Sequence, residues 1–295
     1  MHDTGSSTVD ILGVRILYPT KRGGEQWFLG LTESQNILRF GKGSRFDPQA
    51  SIMQNADGSW KMVASKVRMN VFTSSGYHPE RITTYAQDEL GRKGYMQDPN
   101  DWKNVEITGF VKVNGIVNAE VDDGFSWYAR GGKHSASRQC EGTSYKGDLF
   151  YSGKMRFAKE QWHNRGYSFT KKVVSTAPLL GRWIGFKFVI FNTAINCRDH
   201  NRIEDTGQSK GHESPAVVLQ AWINENEDKE SWIRVEEFID AGGWGMEGCR
   251  CNAPRPDQQI TWGGPIVTFR WDGLNDVDFR DLSVREIEPC RAIHQ

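Results

Sequence analysis

The chain has 295 residues, and its 37 Lys and Arg balance 37 Asp and Glu, so it presents no overall field to nucleic acid or to an acidic membrane surface. No stretch approaches the roughly 18 uninterrupted apolar residues of a bilayer-spanning helix, and the sequence reads as soluble. The 31 glycines and an aromatic content of 12%, with 11 Trp, favour many short strands joined by tight turns over a helical bundle.

Residues 1–8 lack the basic and apolar pattern of a leader and read as a polar tail from which a signal could have been removed. Residues 9–295 are expected to form one domain, since β-sandwiches commonly run to about 200–250 residues as a single unit. From there period-two alternation recurs to the end, and no segment longer than about 12 residues keeps a 3.6-residue apolar period. Strands are predicted over 14–18, 26–31, 65–73, 105–113, 125–130, 148–157, 183–191, 216–223, 232–238, 266–270 and 277–287. Turn sequences such as Asn55-Ala-Asp-Gly, Asp122-Asp-Gly and Trp271-Asp-Gly separate them. The strand from Val105 places Val105, Ile107, Val111 and Val113 on one face and Glu106, Thr108, Lys112 and Asn114 on the other, a core side and a wet side. In the last strand Val277 and Phe279 alternate and Leu282, Val284 and Ile287 resume out of phase, which predicts a bulge near Arg280 and Asp281. Helix is expected only in short pieces such as 157–163. Segments 74–101 and 192–215 are long and polar and are expected to run over the surface. The pattern is that of an all-β, two-sheet antiparallel sandwich with long surface loops.

Two stretches carry a resemblance. The run Thr261-Trp-Gly-Gly-Pro-Ile-Val-Thr-Phe-Arg-Trp-Asp, with Asp276-Val-Asp-Phe-Arg-Asp-Leu-Ser-Val-Arg-Glu-Ile, resembles the last two strands of the concanavalin-like lectin and glucanase superfamily. Asp101-Trp-Lys-Asn-Val-Glu-Ile-Thr-Gly-Phe-Val-Lys and Phe125-Ser-Trp-Tyr-Ala-Arg-Gly-Gly-Lys-His are similar to its central strands, including those of alginate-lyase-like members. The resemblance implies a jelly roll whose concave sheet forms a glycan groove, but it identifies a fold and not a reaction. The laminarinase-type Glu-x-Asp-x-x-Glu motif begins at Glu120 and fails at Gly124 and Phe125. The arginine-rich, Gln-x-His and Tyr-containing strands of alginate-lyase-like families are not found in full.

The densest reactive side chains lie between Arg130 and His163. β-Elimination on a uronic-acid polysaccharide needs a cation to neutralise the carboxylate, a base for the C5 proton and an acid for the glycosidic oxygen, and these residue types are present. His134, Tyr145, Arg138 and Glu141 are the catalytic candidates. Arg130, Lys146, Tyr151, Lys154, Arg156 and Trp127 are the substrate-binding candidates, Trp127 because an indole face packs against a pyranose. Each has a structural counterpart as a solvated strand face, a strand end or core packing. Glu141 with Glu120 or Asp148 is the corresponding choice for a glycoside hydrolase, and a non-catalytic, lectin-like surface protein is the remaining alternative. The partner expected is a polysaccharide or glycan, with no nucleic acid and no membrane span, and the location extracellular or at the cell surface.

No cofactor is required by this chemistry. Asn224, Asn226, Asp228 and Glu230 alternate oxygen ligands as in the front half of a calcium loop, an option for a structural calcium ion, or else form a plain hairpin turn. Cys140, Cys197, Cys249, Cys251 and Cys290 are compatible with two disulfides and a free thiol, and Cys197, His200, Cys249 and Cys251 offer a zinc alternative without the usual spacing.

Overall fold

The structure of the protein, a computed structural model, describes residues 8–30, 44–82, 87–117, 123–132, 142–161, 167–193, 216–245 and 258–289. Its strands are β1 (Gln26–Phe28), β2 (Phe46–Pro48), β3 (Met53–Gln54), β4 (Trp60–Met62), β5 (Lys66–Phe72), β6 (Val105–Ile116), β7 (Gly124–Gly131) and β8 (Thr143–Phe150). They continue as β9 (Lys154–Gln161), β10 (Ser168–Phe169), β11 (Val173–Val174), β12 (Trp183–Asn192), β13 (Val217–Asn224), β14 (Ile233–Asp240), β15 (Ile266–Asp272) and β16 (Leu274–Glu286). Sheet one has the order β14-β13-β12-β6-β16-β4-β3, with β1 also on β16, and sheet two the order β10-β9-β8-β7-β15-β5-β2, with β11 also on β9. Every pairing within the two sheets is antiparallel. This is the all-β, two-sheet antiparallel sandwich that the sequence leads one to expect.

The core forms where the two inner faces meet. Trp127 of sheet two lies 4.6 Å from Phe186 of sheet one, Trp271 lies 5.7 Å from Phe279, and Phe157 lies 6.0 Å from Phe188, as ring centroids. Side chains of this size stabilise the fold by about 1.5–3 kcal/mol each when removed from water. Small residues set the spacing: a side chain at Gly109 would collide with Leu282 and Trp127, and one at Gly147 with Phe188. Gly273, with φ of 74°, is the single residue between β15 and β16 and lets the chain step from sheet two to sheet one.

The predicted bulge is present. The register of β16 on β6 shifts between Arg280 and Ser283, and Asp281 takes a φ of 52°. Elsewhere the structure corrects the sequence reading. The span 148–157 is not one strand but the β8–β9 hairpin, turned at Tyr151–Gly153, where Gly153 has a φ of 82°. The helix expected over 157–163 is strand through Gln161, because Met155 and Phe157 alternate with Arg156 and Ala158 against β8. A helix, α1 (Gln87–Lys93), lies instead inside the polar segment 74–101. Residues 14–18 form no strand of a sheet. The segment from Thr8 to Thr20 crosses the outer face of sheet one, closed on itself by the bridge Val9–Arg15 and tied down by the bridge Thr20–Ile287 and by the Leu17 amide on Glu106. Under it the first half of the expected wet side of β6 is dry, with Glu106 and Thr108 buried, while Lys112 is half-buried and Asn114 exposed as expected.

Candidate functional site on the outer face of sheet two

The alternation that sends Phe125, Trp127, Leu149, Phe157 and Phe269 inward sends polar side chains out. Cross-strand register then sets them in rows. Arg68 of β5 faces Arg270 of β15, which faces Ser126 of β7, then Asp148 of β8 and Arg156 of β9. The next row runs Asn70, Thr268, Tyr128, Lys146, Ala158. Tyr167 and Phe169, at β10, close the β9 edge.

Hydrogen bonds stitch these rows together. Arg270 Nη1 donates to Tyr128 Oη at 2.6 Å, and Arg270 also bonds Asp272 Oδ2, with Nε at 2.7 Å and Nη2 at 2.5 Å. Arg68 Nη1 reaches the other oxygen of Asp272 at 3.1 Å. Asp148 accepts from Ser126 Oγ at 2.6 Å and from Arg156 Nε at 3.1 Å. Two cation–aromatic stacks stand side by side: Lys146 Nζ lies 4.2 Å from the Tyr128 ring centroid and 3.0 Å from that of Tyr167, and the Arg156 guanidinium lies 5.0 Å from Phe150 and 3.7 Å from Phe169. The arginine side chains are 22–28% exposed, so the face is half-buried rather than sealed.

Burial beneath the rings lowers Lys146 to about 7, against the attraction of Glu160 and Asp148. Burial pushes Tyr128 up to about 12, opposed by Arg270, and raises Tyr167 further, helped by Glu160. Burial works against ionisation of Asp272 too, but Arg68 and Arg270 outweigh it and hold that carboxyl below its usual range. At neutral pH the face therefore pairs two protonated phenols with an amine able to give or take a proton.

Of the residues predicted from the sequence, Lys146 and Arg156 lie on this face, and so does Asp148. Lys154, exposed at the start of β9, shares the Arg156 side of the strand at its edge. Tyr145, Trp127, Tyr151 and Arg130 do not face it. Tyr145 is an inward residue of β8: its hydroxyl donates to Asp240 Oδ2 at 2.6 Å and accepts from the Ile260 amide at 3.0 Å. Lys159 Nζ donates to the same Asp240 oxygen at 2.8 Å, which makes a buried polar knot between the sheets. Burial, with Asp240 adding to it, raises the Tyr145 phenol well above its ordinary value. Trp127 is 1% exposed, so its indole packs the core and offers no sugar platform. Tyr151 donates to the Asp272 carbonyl at 2.6 Å from within the hairpin turn. Arg130 is fully buried and donates to the Lys103 carbonyl at 3.0 Å and to the Ile260 carbonyl. His134, Arg138, Glu141, Glu120, His163, His200 and the five cysteines lie outside the described residues.

Arg68, Tyr128, Glu160, Tyr167, Arg270 and Asp272 were missing from the sequence candidates. The polar alternation Arg68-x-Asn70 and Thr268-x-Arg270-x-Asp272 is a visible signal, but the adjacency of β15 to both β5 and β7 is not.

The oxygen-rich loop after β13 spends its acceptors on itself. Asn224 Oδ1 takes the amides of Asn226 and Glu227 at 3.0 and 3.1 Å, and Asp228 Oδ1 takes those of Glu230 and Ser231 at 3.0 and 2.8 Å. The set, ending in exposed Glu230, closes a hairpin in which Glu227 and Lys229 have positive φ. Among the described residues no three His, Cys, Asp or Glu gather as a metal site.

No protein-family model and no curated protein sequence matches the chain. Among solved structures, the chain is similar to the VIP36 exoplasmic/lumenal domain in its Ca2+/Man3GlcNAc-bound form, with a TM-score of 0.42 and 10% identity over 86% of this chain and 89% of that one. It is also similar to winged bean acidic lectin complexed with methyl-α-D-galactose, with a TM-score of 0.36 and 5% identity over 88% of this chain and 97% of that one.

Proposed function

We propose that the protein holds a carbohydrate chain across the outer face of sheet two, outside the cell or at its surface, and that its concrete chemistry is β-elimination on a uronic-acid polysaccharide. The observation that carries this reading is the junction of Arg270, Tyr128 and Lys146: a guanidinium bonded to a phenol whose ring also touches an amine lowered to about 7. A forked cation such as Arg270 suits a uronate carboxylate, and neutralising that carboxylate acidifies the C5 proton. Neutral Lys146 takes this proton once the glycan displaces the Tyr167 ring that covers it, and Tyr128, kept protonated by burial, donates to the glycosidic oxygen. The bond from C4 to that oxygen breaks as the C4–C5 double bond forms, leaving an unsaturated uronyl end. Incubation with a panel of uronic-acid polysaccharides should give the ultraviolet absorbance of this end, and Tyr128→Phe should lower the rate by about 100-fold or more. Silence with every uronate would sink the catalytic reading.

Glycan binding without cleavage is the second reading, favoured by the commitment of Arg68 and Arg270 to Asp272 and of Arg156 to Asp148. Retention of the protein on immobilised glycans without product would select it. Hydrolysis by the carboxylates of this face is less favoured. Asp148 and Ser144, the residue opposite Glu160, are four positions apart on β8, about 13 Å along the strand, which is wider than the separation of about 5–9.5 Å that glycosidases use.

A further inference from the structure

Lys146 differs from the arginines around it. Arg68, Arg156 and Arg270 each have a carboxylate in ion-pair contact, whereas Lys146 Nζ lies against the rings of Tyr128 and Tyr167. Tyr128 comes from the neighbouring strand, directly opposite. Tyr167 comes from outside the β7–β8 pair, from the residue before β10. Ala158 makes room for it: that residue faces Lys146 on one side and Phe169 on the other, and its small side chain leaves the space over β9 across which Tyr167 reaches back. Lys146 as a whole residue is 3% exposed on a face whose arginine side chains are several times more open.

We infer that Tyr167 is a positioning residue: its ring, laid across Lys146 Nζ, shuts water away from that amine and fixes it beside Tyr128, and so prepares Lys146 to act as the base of this face. The inference rests on the glycan reading only for what Lys146 acts upon. Two effects of the ring oppose each other, since its π face attracts an ammonium while its bulk denies the ammonium water. Desolvation is the largest influence on Lys146 and brings it to about 7. Among the described residues, the charged and titratable groups facing it are Asp148 on its own strand, Glu160 on β9, Tyr128 on β7, Arg270 on β15, Arg68 on β5 and Tyr167. The two acids favour the ammonium and the two arginines disfavour it, so these charges partly cancel and leave water exclusion in control.

The test is a carbon-13 NMR titration of the lysine side chains without glycan, with Lys146 assigned through Lys146→Arg. The wild type and Tyr167→Phe, which keeps the ring, should titrate near 7. Tyr167→Ala and Tyr167→Gln, which open the amine to water, should titrate close to the ordinary lysine value of about 10.4. Because it needs no substrate, this result stands or falls apart from the proposed reaction. Where product forms, the same two variants should move the rising limb of the pH–rate profile upward with Lys146, which a merely structural role would not do. The inference is overturned if wild-type Lys146 titrates in the ordinary range, or if opening the ring leaves its titration where it was.

Discussion

The two outer faces of this sandwich carry the same residue types and put them to opposite uses. On sheet one, Glu106 is held by Lys187 at 2.5 Å and Arg285 at 2.7 Å, and all three side chains are at most 3% exposed. The N-terminal segment roofs them: the Leu17 amide donates to Glu106, Arg285 donates to the Tyr18 carbonyl and Thr20 hydroxyl, and Val14 packs on Phe110 and Trp232. On sheet two, Asp272 is likewise held by two cations, Arg68 and Arg270, but its side chain is 25% exposed. One carboxylate with two cations is a structural lock where a roof excludes water and an open, adaptable polar surface where it does not. Removing the acid should therefore have very different consequences in the two places.

Glu106→Gln should have the largest effect. It leaves Lys187 and Arg285 buried without their counter-charge, a loss on the order of 3–5 kcal/mol in urea unfolding. Burial opposes ionisation of Glu106 but the two cations outweigh it, so its folded value lies below the ordinary 4.5. Its contribution is thus complete above the unfolded value and fades as pH falls through the folded one, and the gap between wild type and Glu106→Gln should close in acid.

Lys146→Met should have the reverse sign. An amine lowered from 10.5 to about 7 destabilises the folded state most below pH 7, and progressively less as pH rises towards the unfolded value. The variant should gain on the order of a few kcal/mol at acid and neutral pH, shrinking towards pH 10, and should abolish the proposed elimination. Equal stability at pH 6 and pH 10 would remove the case for a strained amine. Tyr145→Phe, in the knot between the sheets, should cost about 1–3 kcal/mol by leaving the Ile260 amide and Asp240 without the hydroxyl, and should leave glycan affinity nearly unchanged. Asp272→Asn should have the smallest effect on stability, about 1 kcal/mol or less, because Arg68 and Arg270 can turn to water. It should tighten retention on acidic glycans relative to neutral ones, and a loss as large as that of Glu106→Gln would erase the distinction between the faces.

Much of the fold is legible in the residues. Val105, Ile107, Val111 and Val113 share the core side of β6 as their spacing requires, and the phase slip between Phe279 and Leu282 marks the bulge at Asp281. Less of the site is legible. Lys146 and Arg156 could be picked out because they stand in a dense polar run. Tyr145 stands in the same run, and only the phase of β8 turns it inward to Asp240. Local charge density does not reveal which face a residue occupies when a hairpin turn, here at Gly153, interrupts the alternation.

The sequence by itself determined the strand class and the inward rows, since a period of two with large apolar side chains has no other way to leave water. Only the tertiary structure decided which polar rows stay open. That outcome depends on neighbours far apart in the chain: Arg270 beside Tyr128, Tyr167 over Lys146, and residues 8–20 over Glu106. The cost of burying a charge, and hence whether it locks the fold or stays open to water, is set by what covers it and not by the residue itself.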